Sequence, residues 1–257
     1  MKKIFYILII LATFNSFGCV LQSGELKNQL KTAIISGDID TQKSLSTQLK
    51  SQYSNNILQY YRNELSSINN QSVLITNGLE DTYPLFILQQ TESISNQTVI
   101  VSLDLLNNQN YLTRILTQLQ LSQEFDKTSK SIYLSRLLKS KKPVFLSSTV
   151  NHNIYSKHVQ NLFLVGLSLE LDSSNQYKKL NDLWIKLQKE NVSKFKLTAN
   201  EMELYSNYLP PLLTLYKLNV LNNKDNTSLK LGIQLLSKLV NKEQIVSKII
   251  KQYDNGG

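Results

Sequence analysis

Three polar loops contain the side chains of this sequence that are best suited to bind a ligand. Each loop follows a short apolar run and leads into a helical pattern that opens at a tyrosine. The loops are rich in amides and carboxylates and poor in lysine, and such groups exchange hydrogen bonds with hydroxyls. This chemistry favours a polyhydroxylated ligand over a phosphate. The candidate binding residues are Asn77, Glu80, Asp81, Thr82, Asp104, Asn107, Tyr111 and Asn151.

The same residue types have a second interpretation, which is purely architectural. Asn, Asp, Ser and Thr are the residues that cap helices, and the pair Asn77-Gly78 is typical of a tight turn. Each loop must start a helix, so capping alone accounts for its composition. In that interpretation Asp81 or Thr82 caps a helix that begins near Pro84. The sequence leaves both interpretations, capping and binding, open.

Catalytic and metal-binding patterns are weak. Glu80 and Asp81 can supply an acid and a base, with Asp104 as a further carboxylate. Glycoside hydrolysis, however, needs two carboxylates about 5–10 Å apart across a cleft, and adjacent residues seldom face each other in that way. The two histidines, His152 and His158, do not have the spacing of a zinc pair. We therefore predict no catalytic residue, no cofactor and no metal, and the sequence favours a binding module over an enzyme.

A small parallel sheet is the element that would position the three loops. The runs SVLIT, TVIVSL and PVFLSS lack polar alternation, which is typical of strands buried on both faces of a parallel sheet. Because the carboxyl ends of such strands meet at one edge, the loops should gather there. A fourth run, FLVGLSLEL, alternates and predicts a half-buried edge strand. The predicted fold class is α/β, with three parallel strands and a fourth edge strand covered by helices.

Helical patterns flank this sheet on both sides in the sequence. Thr198 and Glu201 form a capping-box pattern, and Pro210-Pro211 should break the helix that precedes them. Two amphipathic helices around the turn 222–226 resemble a tetratricopeptide-type hairpin. The predicted division is a signal peptide at 1–18, an N-terminal helical region at 19–69, an α/β domain at 70–174 and a C-terminal helical region at 175–257.

The start of the chain predicts its compartment. Lys2 and Lys3 precede an apolar run at 4–12, which has the length of a secretory signal and is too short to span a bilayer. Gly18 then precedes Cys19, the only cysteine, in a layout that resembles a bacterial lipoprotein signal. Cys19 is therefore the predicted lipidation site, and the alternative is an ordinary signal peptide with an incidental cysteine. We expect a membrane-anchored protein of the cell envelope, on the periplasmic or outer face.

The charge distribution argues against nucleic acid as a partner. The net charge is +9, and nearly all of the basic residues are scattered lysines. Nucleic-acid surfaces need a clustered basic face with arginines for bidentate contacts. The charge is therefore best interpreted as a solvated basic surface.

The middle of the chain resembles a known family. The phrases ITNGLEDTYPLFILQQTE, VIVSLDLLNNQNYLTRIL, KPVFLSSTVNHN and FLVGLSLEL occur in the order found in a soluble C-terminal domain. That domain belongs to large bacterial multi-pass membrane proteins related to protein O-mannosyltransferases. The resemblance covers residues 71–171 and, more loosely, the tail. The positions that match the family phrases are Asn77, Gly78, Asp81, Thr82, Pro84, Asn107 and Tyr111.

The resemblance implies a role close to glycans rather than a glycosyltransferase reaction. In that family the chemistry belongs to the membrane part, whereas here only the short run at 4–12 is apolar enough to meet a bilayer. Leu79 and Gln109 also stand where the family carries acids. We expect a non-catalytic accessory or binding module in cell-envelope glycan or glycoprotein processing, with a membrane glycosyltransferase or a glycan as partner. The alternatives are a glycan-acting enzyme at the loop edge and a helical protein-interaction scaffold.

Overall fold

The computed structural model describes residues 24–122, 129–171, 174–191 and 194–255. The predicted signal peptide and its lipidation site, Cys19, lie outside the described residues. Within these ranges, none of the helices combines the length and the apolar character that a membrane crossing requires.

From residue 24 onward, three helices precede the sheet: α1 (24–36), α2 (Ile39–Lys50) and α3 (Asn55–Ser67). The first ends at Gly37, whose positive φ of 78° is the left-handed conformation that glycine adopts without strain. Asp38 caps the second helix by accepting a hydrogen bond from Thr41 N, and Ser54 caps the third in the same way. The helical pattern of the N-terminal region is therefore confirmed.

The sheet has five strands, and its first three confirm the predicted parallel arrangement. They are β1 (Val73–Thr76), β2 (Val99–Ser102), β3 (Val144–Ser147), β4 (Phe163–Leu164) and β5 (Ser168–Glu170). The strand order is β2-β1-β3-β5-β4, with β1 parallel to both of its neighbours. Every residue of the first three strands is buried, as expected for strands covered on both faces.

The fourth predicted strand is two short strands instead of one. The segment folds back on itself at Gly166, which has a φ of 78°, and Val165 N donates to Ser168 O at 2.8 Å to close the turn. As a result β5 runs antiparallel to β3, and β4 pairs with β5 at the edge. A strand cannot continue through this left-handed conformation, and the alternation of residue types did not reveal the glycine as a turn.

Helices cover the sheet and continue into the C-terminal region. They are α4 (Leu79–Glu92), α5 (Gln109–Gln118), α6 (Lys130–Leu137), α7 (His152–Tyr155), α8 (Gln176–Glu190), α9 (Ala199–Ser206), α10 (Leu209–Leu221), α11 (Thr227–Leu239) and α12 (Glu243–Asp254). Two 3₁₀ helices lie at Leu103–Asn107 and Ser156–Asn161. The capping box of Thr198 and Glu201 is present as predicted. The helix that it starts ends at Ser206, before Pro210, which also agrees with the prediction.

One continuous core joins these layers. Its largest fully buried side chains include Tyr60 on α3, Phe145 on β3 and Tyr205 on α9. Tyr205 donates a hydrogen bond to Asn56 O at 3.0 Å, which fastens α9 to the start of α3. The N-terminal and C-terminal helices therefore pack together over one part of the sheet.

Candidate functional site

A cavity of about 600 Å³ lies at the carboxyl ends of β1 and β3. Its walls come from four segments that are far apart in sequence: 53–61 at α3, 77–81 at the start of α4, 148–149 after β3, and 200–207 on and just after α9. Ligands of open α/β sheets bind at this edge. The position therefore agrees with the prediction that the loops gather there.

The turn between β1 and α4 places three of the predicted residues on the wall. The helix begins at Leu79, not near Pro84, and its N-cap is Gly78, which offers no side chain. Neither Asp81 nor Thr82 is therefore the N-cap residue, and the predicted helix start is wrong, although the Asp81 carboxylate accepts a hydrogen bond from the Gly78 backbone. Thr82 is buried, and its hydroxyl donates to Gly78 O at 2.6 Å. This hydrogen bond stabilises the turn on its buried side.

The Asp81 carboxylate, in the first turn of α4, also has a partner on α3. Its Oδ1 accepts a hydrogen bond from the Tyr61 hydroxyl at 2.8 Å. Burial raises the pKa of Asp81, and hydrogen bonds from Tyr61, from Thr149 and from the Gly78 backbone oppose that rise. The result is a partly buried carboxylate on the wall of the cavity, held by residues of three different segments.

A second carboxyl, that of Glu64, is buried behind this wall. Its residue is 0% exposed, and neither carboxyl oxygen has a hydrogen-bond partner among the described residues. Burial raises the pKa of Glu64 to about 8, and the nearby charge of Asp81 acts in the same direction. The Ser147 hydroxyl opposes the shift, but its own hydrogen bond runs to Thr149 Oγ1 at 2.9 Å. Glu64 is therefore protonated near neutral pH.

Aromatic side chains support the floor of the cavity. The rings of Tyr60 and Tyr61 meet edge to face with centroids 5.1 Å apart, and Tyr208 packs against Tyr60 at 5.4 Å. The Tyr60 hydroxyl is 2.9 Å from Ser148 Oγ. This hydrogen bond fixes the loop after β3, since a buried hydroxyl is costly to leave unpaired.

The remaining polar side chains of the wall are available to a ligand. Within the described residues, the side chains of Asn77, Asn200 and Glu203 make no hydrogen bond or ion pair, and no lysine, arginine or histidine lines the cavity. Glu80 pairs with Lys27 at 2.7 Å on the exposed rim. The cavity thus presents carboxylates, amides and hydroxyls beside tyrosine rings, which suits a hydroxyl-rich ligand.

Three of the eight predicted binding residues line the cavity, namely Asn77, Glu80 and Asp81. The loop after β2 does not reach it. There Asp104 pairs with Lys130 at 2.5 Å, and Asn107 is exposed.

The other predicted residues have structural roles. Tyr111 is 0% exposed, and its hydroxyl accepts a hydrogen bond from Ser102 N at 3.0 Å. Asn151 caps the short helix α7 by accepting from Asn153 N. Together with the buried Thr82, these residues support the scaffold, since each makes a hydrogen bond within the chain.

The sequence prediction missed the walls contributed by α3 and α9. Tyr61 and Glu64 lie on a helix that precedes the sheet, and Asn200 and Glu203 lie about 30 residues after β5, the last strand of the sheet. One signal was present in α3, where an acidic residue, Glu64, interrupts an apolar face next to Leu65. A charge on a buried face is costly and therefore marks a special environment.

The chain matches the family model described as TMEM260-associated domain 2 over residues 58–253, more than half of its length. It belongs to that family. TMEM260 is related to protein O-mannosyltransferases, so the predicted link to relatives of these enzymes is confirmed. The matched segment contains the residues that line the cavity, with the exception of Tyr53 and Ile57. No curated protein and no solved structure matches the chain.

Proposed function

We propose that this protein is a non-catalytic module that binds a glycan in the cavity between α3, the start of α4 and α9. The observation that carries the proposal is the composition of the walls, where amide and carboxylate groups without partners among the described residues lie beside tyrosine rings. Sugar hydroxyls both donate and accept hydrogen bonds, and Asn77, Asn200 and Glu203 offer donors and acceptors of that kind. Membership in a family linked to protein O-mannosyltransferase relatives supports the same ligand class.

The size of the cavity supports binding of a small part of a glycan. Ligand sites commonly have volumes of about 300–1,000 Å³, with a few fixed polar groups that set orientation. The cavity, at about 600 Å³, falls within this range. The hydrogen bond between Tyr61 and Asp81 fixes one such group before any ligand arrives. A preorganised carboxylate of this kind lowers the cost of binding.

A glycan array with three forms of the protein tests the proposal. Wild type should bind a defined set of glycans, and Asp81→Asn should weaken that binding by about tenfold or more through loss of charge-assisted hydrogen bonds. Asn107→Ala is the matched control, because Asn107 is an exposed loop residue outside the cavity. Thermal melts of all three proteins verify that folding is unchanged.

Two outcomes of this experiment would contradict the proposal. One is the absence of glycan binding by a correctly folded wild type. The other is binding that Asn107→Ala abolishes and Asp81→Asn leaves intact, which would place the ligand at the loop after β2.

The proposal includes attachment of the module to a membrane of the cell envelope through lipid on Cys19. The sequence pattern at the start of the chain supports this step, and the residues concerned lie outside the described ranges. More than one acyl chain gives stable attachment, at about 0.8 kcal/mol for each buried methylene. Metabolic labelling with a fatty-acid analogue should mark wild type and leave Cys19→Ser unlabelled. Labelling of both proteins would refute the anchor.

The carboxyl of Asp81 on the wall of the cavity, with Glu80 beside it, favours a second candidate, an enzyme that acts on glycans. Burial raises the pKa of this carboxyl, and a general acid needs a raised pKa to hold its proton. Incubation with the oligosaccharides that bind on the array separates the two candidates. Shortened products that appear with wild type and not with Asp81→Asn would establish the enzyme.

The scaffold alternative has a smaller structural basis. An apolar cavity of about 140 Å³ lies between α8, α10 and α11, with Trp184 and Leu235 among its lining residues. Nothing in the described chain indicates what would cover it. The polar cavity is therefore the better supported site.

A further inference from the structure

We propose that the sugar unit taken by the cavity carries a free, protonated amino group, and that Asp81 and Glu203 pair with that group. This inference deepens the proposed function and rests on it. The ligand class is an amino sugar that is not acetylated at its nitrogen, in contrast to a neutral sugar or a sugar phosphate.

The first argument is the sign of the charge. Three carboxylates, those of Glu80, Asp81 and Glu203, line the cavity, and within the described residues no basic side chain is among the lining groups. The chain as a whole carries a net charge of +9. The lining of the cavity is therefore opposite in sign to the net charge of the chain. Such a lining attracts a cation and repels phosphates and carboxylates.

The second argument is an ammonium that the chain already binds at the rim. Lys27 Nζ lies 2.7 Å from the Glu80 carboxylate and 5.8 and 5.9 Å from the ring centroids of Tyr53 and Tyr83. A carboxylate and two aromatic rings thus hold one ammonium at this edge of the sheet. The combination is effective because ring faces attract cations.

The same pair of group types recurs inside the cavity without a cation. Asp81 is joined to Tyr61 at 2.8 Å, and both line the cavity. Glu203, from α9, has no ion-pair partner among the described residues and lines the same space. An ammonium on a bound sugar would give these carboxylates the partner that Lys27 gives Glu80.

A bare metal ion fits the cavity less well than an organic ammonium. The described residues contain no group of three or more His, Cys, Asp or Glu side chains positioned to hold a metal. The amides of Asn77 and Asn200 and the hydroxyl of Thr149 line the cavity beside the carboxylates. These groups can exchange hydrogen bonds with the hydroxyls of a sugar ring, so the cavity would bind the ammonium and the ring together.

Calorimetric titration of the purified full chain with three tetrasaccharides tests the inference. The ligands are a glucosamine tetramer, its N-acetylated form and an uncharged glucose tetramer of the same linkage. The glucosamine tetramer should bind about tenfold or more tightly than the other two, since only it supplies charge-assisted hydrogen bonds. Oligolysine serves as a cation without a sugar ring and should bind more weakly than the glucosamine tetramer.

Variants identify the groups that select the amine. Because Glu203 is exposed, the Glu203→Gln variant should fold normally. The substitution should reduce the preference for the glucosamine tetramer severalfold. Asp81→Asn should reduce it further. Glu243→Gln on α12 is the matched control, because Glu243 is exposed and lies outside the cavity. It should leave the preference unchanged.

The outcomes separate this inference from the proposed function. If the N-acetylated or glucose tetramer bound as tightly as the glucosamine tetramer, or more tightly, the inferred recognition of an amino group would be wrong. The proposal of glycan binding would still hold. If oligolysine bound more tightly than the glucosamine tetramer, the ligand would be a basic peptide and the inference of an amino sugar would be wrong. Absence of binding by all three tetrasaccharides, together with a negative glycan array, would overturn both proposals. A preference for the glucosamine tetramer that Glu203→Gln does not alter would refute the assigned pairing.

Discussion

At the carboxyl edge of the sheet, the loops after β1 and β3 face a cavity, whereas the loop after β2 is closed by its own contacts. Both parts of the edge carry the same residue types. On the first side the side chain of Asn77 has no partner within the described residues, and Asp81 is bound only through groups of the wall. On the second side Asp104 is paired with Lys130, and Tyr111 is buried.

The difference comes from the helices that cross each side. The helices α3 and α9 extend over the ends of β1 and β3 and leave a space beneath them. The chain after β2 turns at once into a 3₁₀ helix, and Asn108 then caps α5 by accepting from Tyr111 N at 3.1 Å. Polar composition alone therefore does not determine a site. What determines it is whether a remote element leaves those groups without partners.

The largest expected effect concerns Glu64 and the pH dependence of stability. The pKa of Glu64 rises from 4.5 in the unfolded chain to about 8 in the fold. The folded state therefore keeps a proton that the unfolded state releases, and stability falls as pH rises from about 4.5 to about 8. The total loss from this group is at most about 5 kcal/mol. Glu64→Gln should remove this slope and be the more stable protein at pH 8.

Urea denaturation at several pH values measures this effect. The difference in the free energy of unfolding between Glu64→Gln and wild type should grow from pH 5 to pH 8. Glu243→Gln, at an exposed position, should follow wild type throughout. A constant difference between Glu64→Gln and wild type would mean that Glu64 is ionised in the fold at neutral pH.

An intermediate effect is expected for Tyr111 on the closed side. Tyr111→Phe leaves the buried Ser102 N–H without its acceptor, which should cost about 1–3 kcal/mol of stability. Glycan binding by the folded protein should not change. Thermal melts and the array measure the two quantities, and Tyr253→Phe is the control because the Tyr253 hydroxyl makes no hydrogen bond within the described residues. Lost binding at full stability would contradict the division of the edge into two sides.

The smallest effect is expected for the ion pair of Asp104. Asp104→Asn breaks an exposed pair with Lys130, and such pairs contribute about 0–1 kcal/mol. Binding should also be unchanged, in contrast to Asp81→Asn. Parallel chemical denaturation and titration of the two variants provide the measurement. If the two variants weakened binding equally, the loop after β2 would belong to the site.

Local patterns predicted those parts of the fold that local burial controls. The unbroken β-branched runs gave the three parallel strands, because a strand covered on both faces needs no polar alternation. Leu26, Leu30 and Ile34 have the spacing of one helix face and lie on the first helix, and the predicted capping box of Thr198 with Glu201 marks the start of α9. Each of these signals depends on residues a few positions apart.

The site was predicted only in part, because its walls depend on distant contacts. The turn at Asn77 to Asp81 was found from its own residue types. Nothing near Glu203 in the sequence indicates that α9 lies beside that turn, since their separation exceeds one hundred residues. Tyr111 shows the opposite error, as a tyrosine in a polar loop whose hydroxyl is satisfied inside the core. Tertiary packing decides both cases, and residue patterns do not report it.

The fastening of α9 to α3 has a consequence for the order of events during folding. Tyr205 reaches Asn56 O, and Glu201 accepts from the Ser54 hydroxyl, across sequence separations of 149 and 147 residues. Closing such long loops costs entropy before the contacts repay it, so long-range contacts form slowly. During synthesis the sheet strands leave the ribosome well before α9. The last wall is therefore added to a scaffold whose strands are already available, and a nascent chain that ends before residue 199 has no closed cavity to offer a ligand.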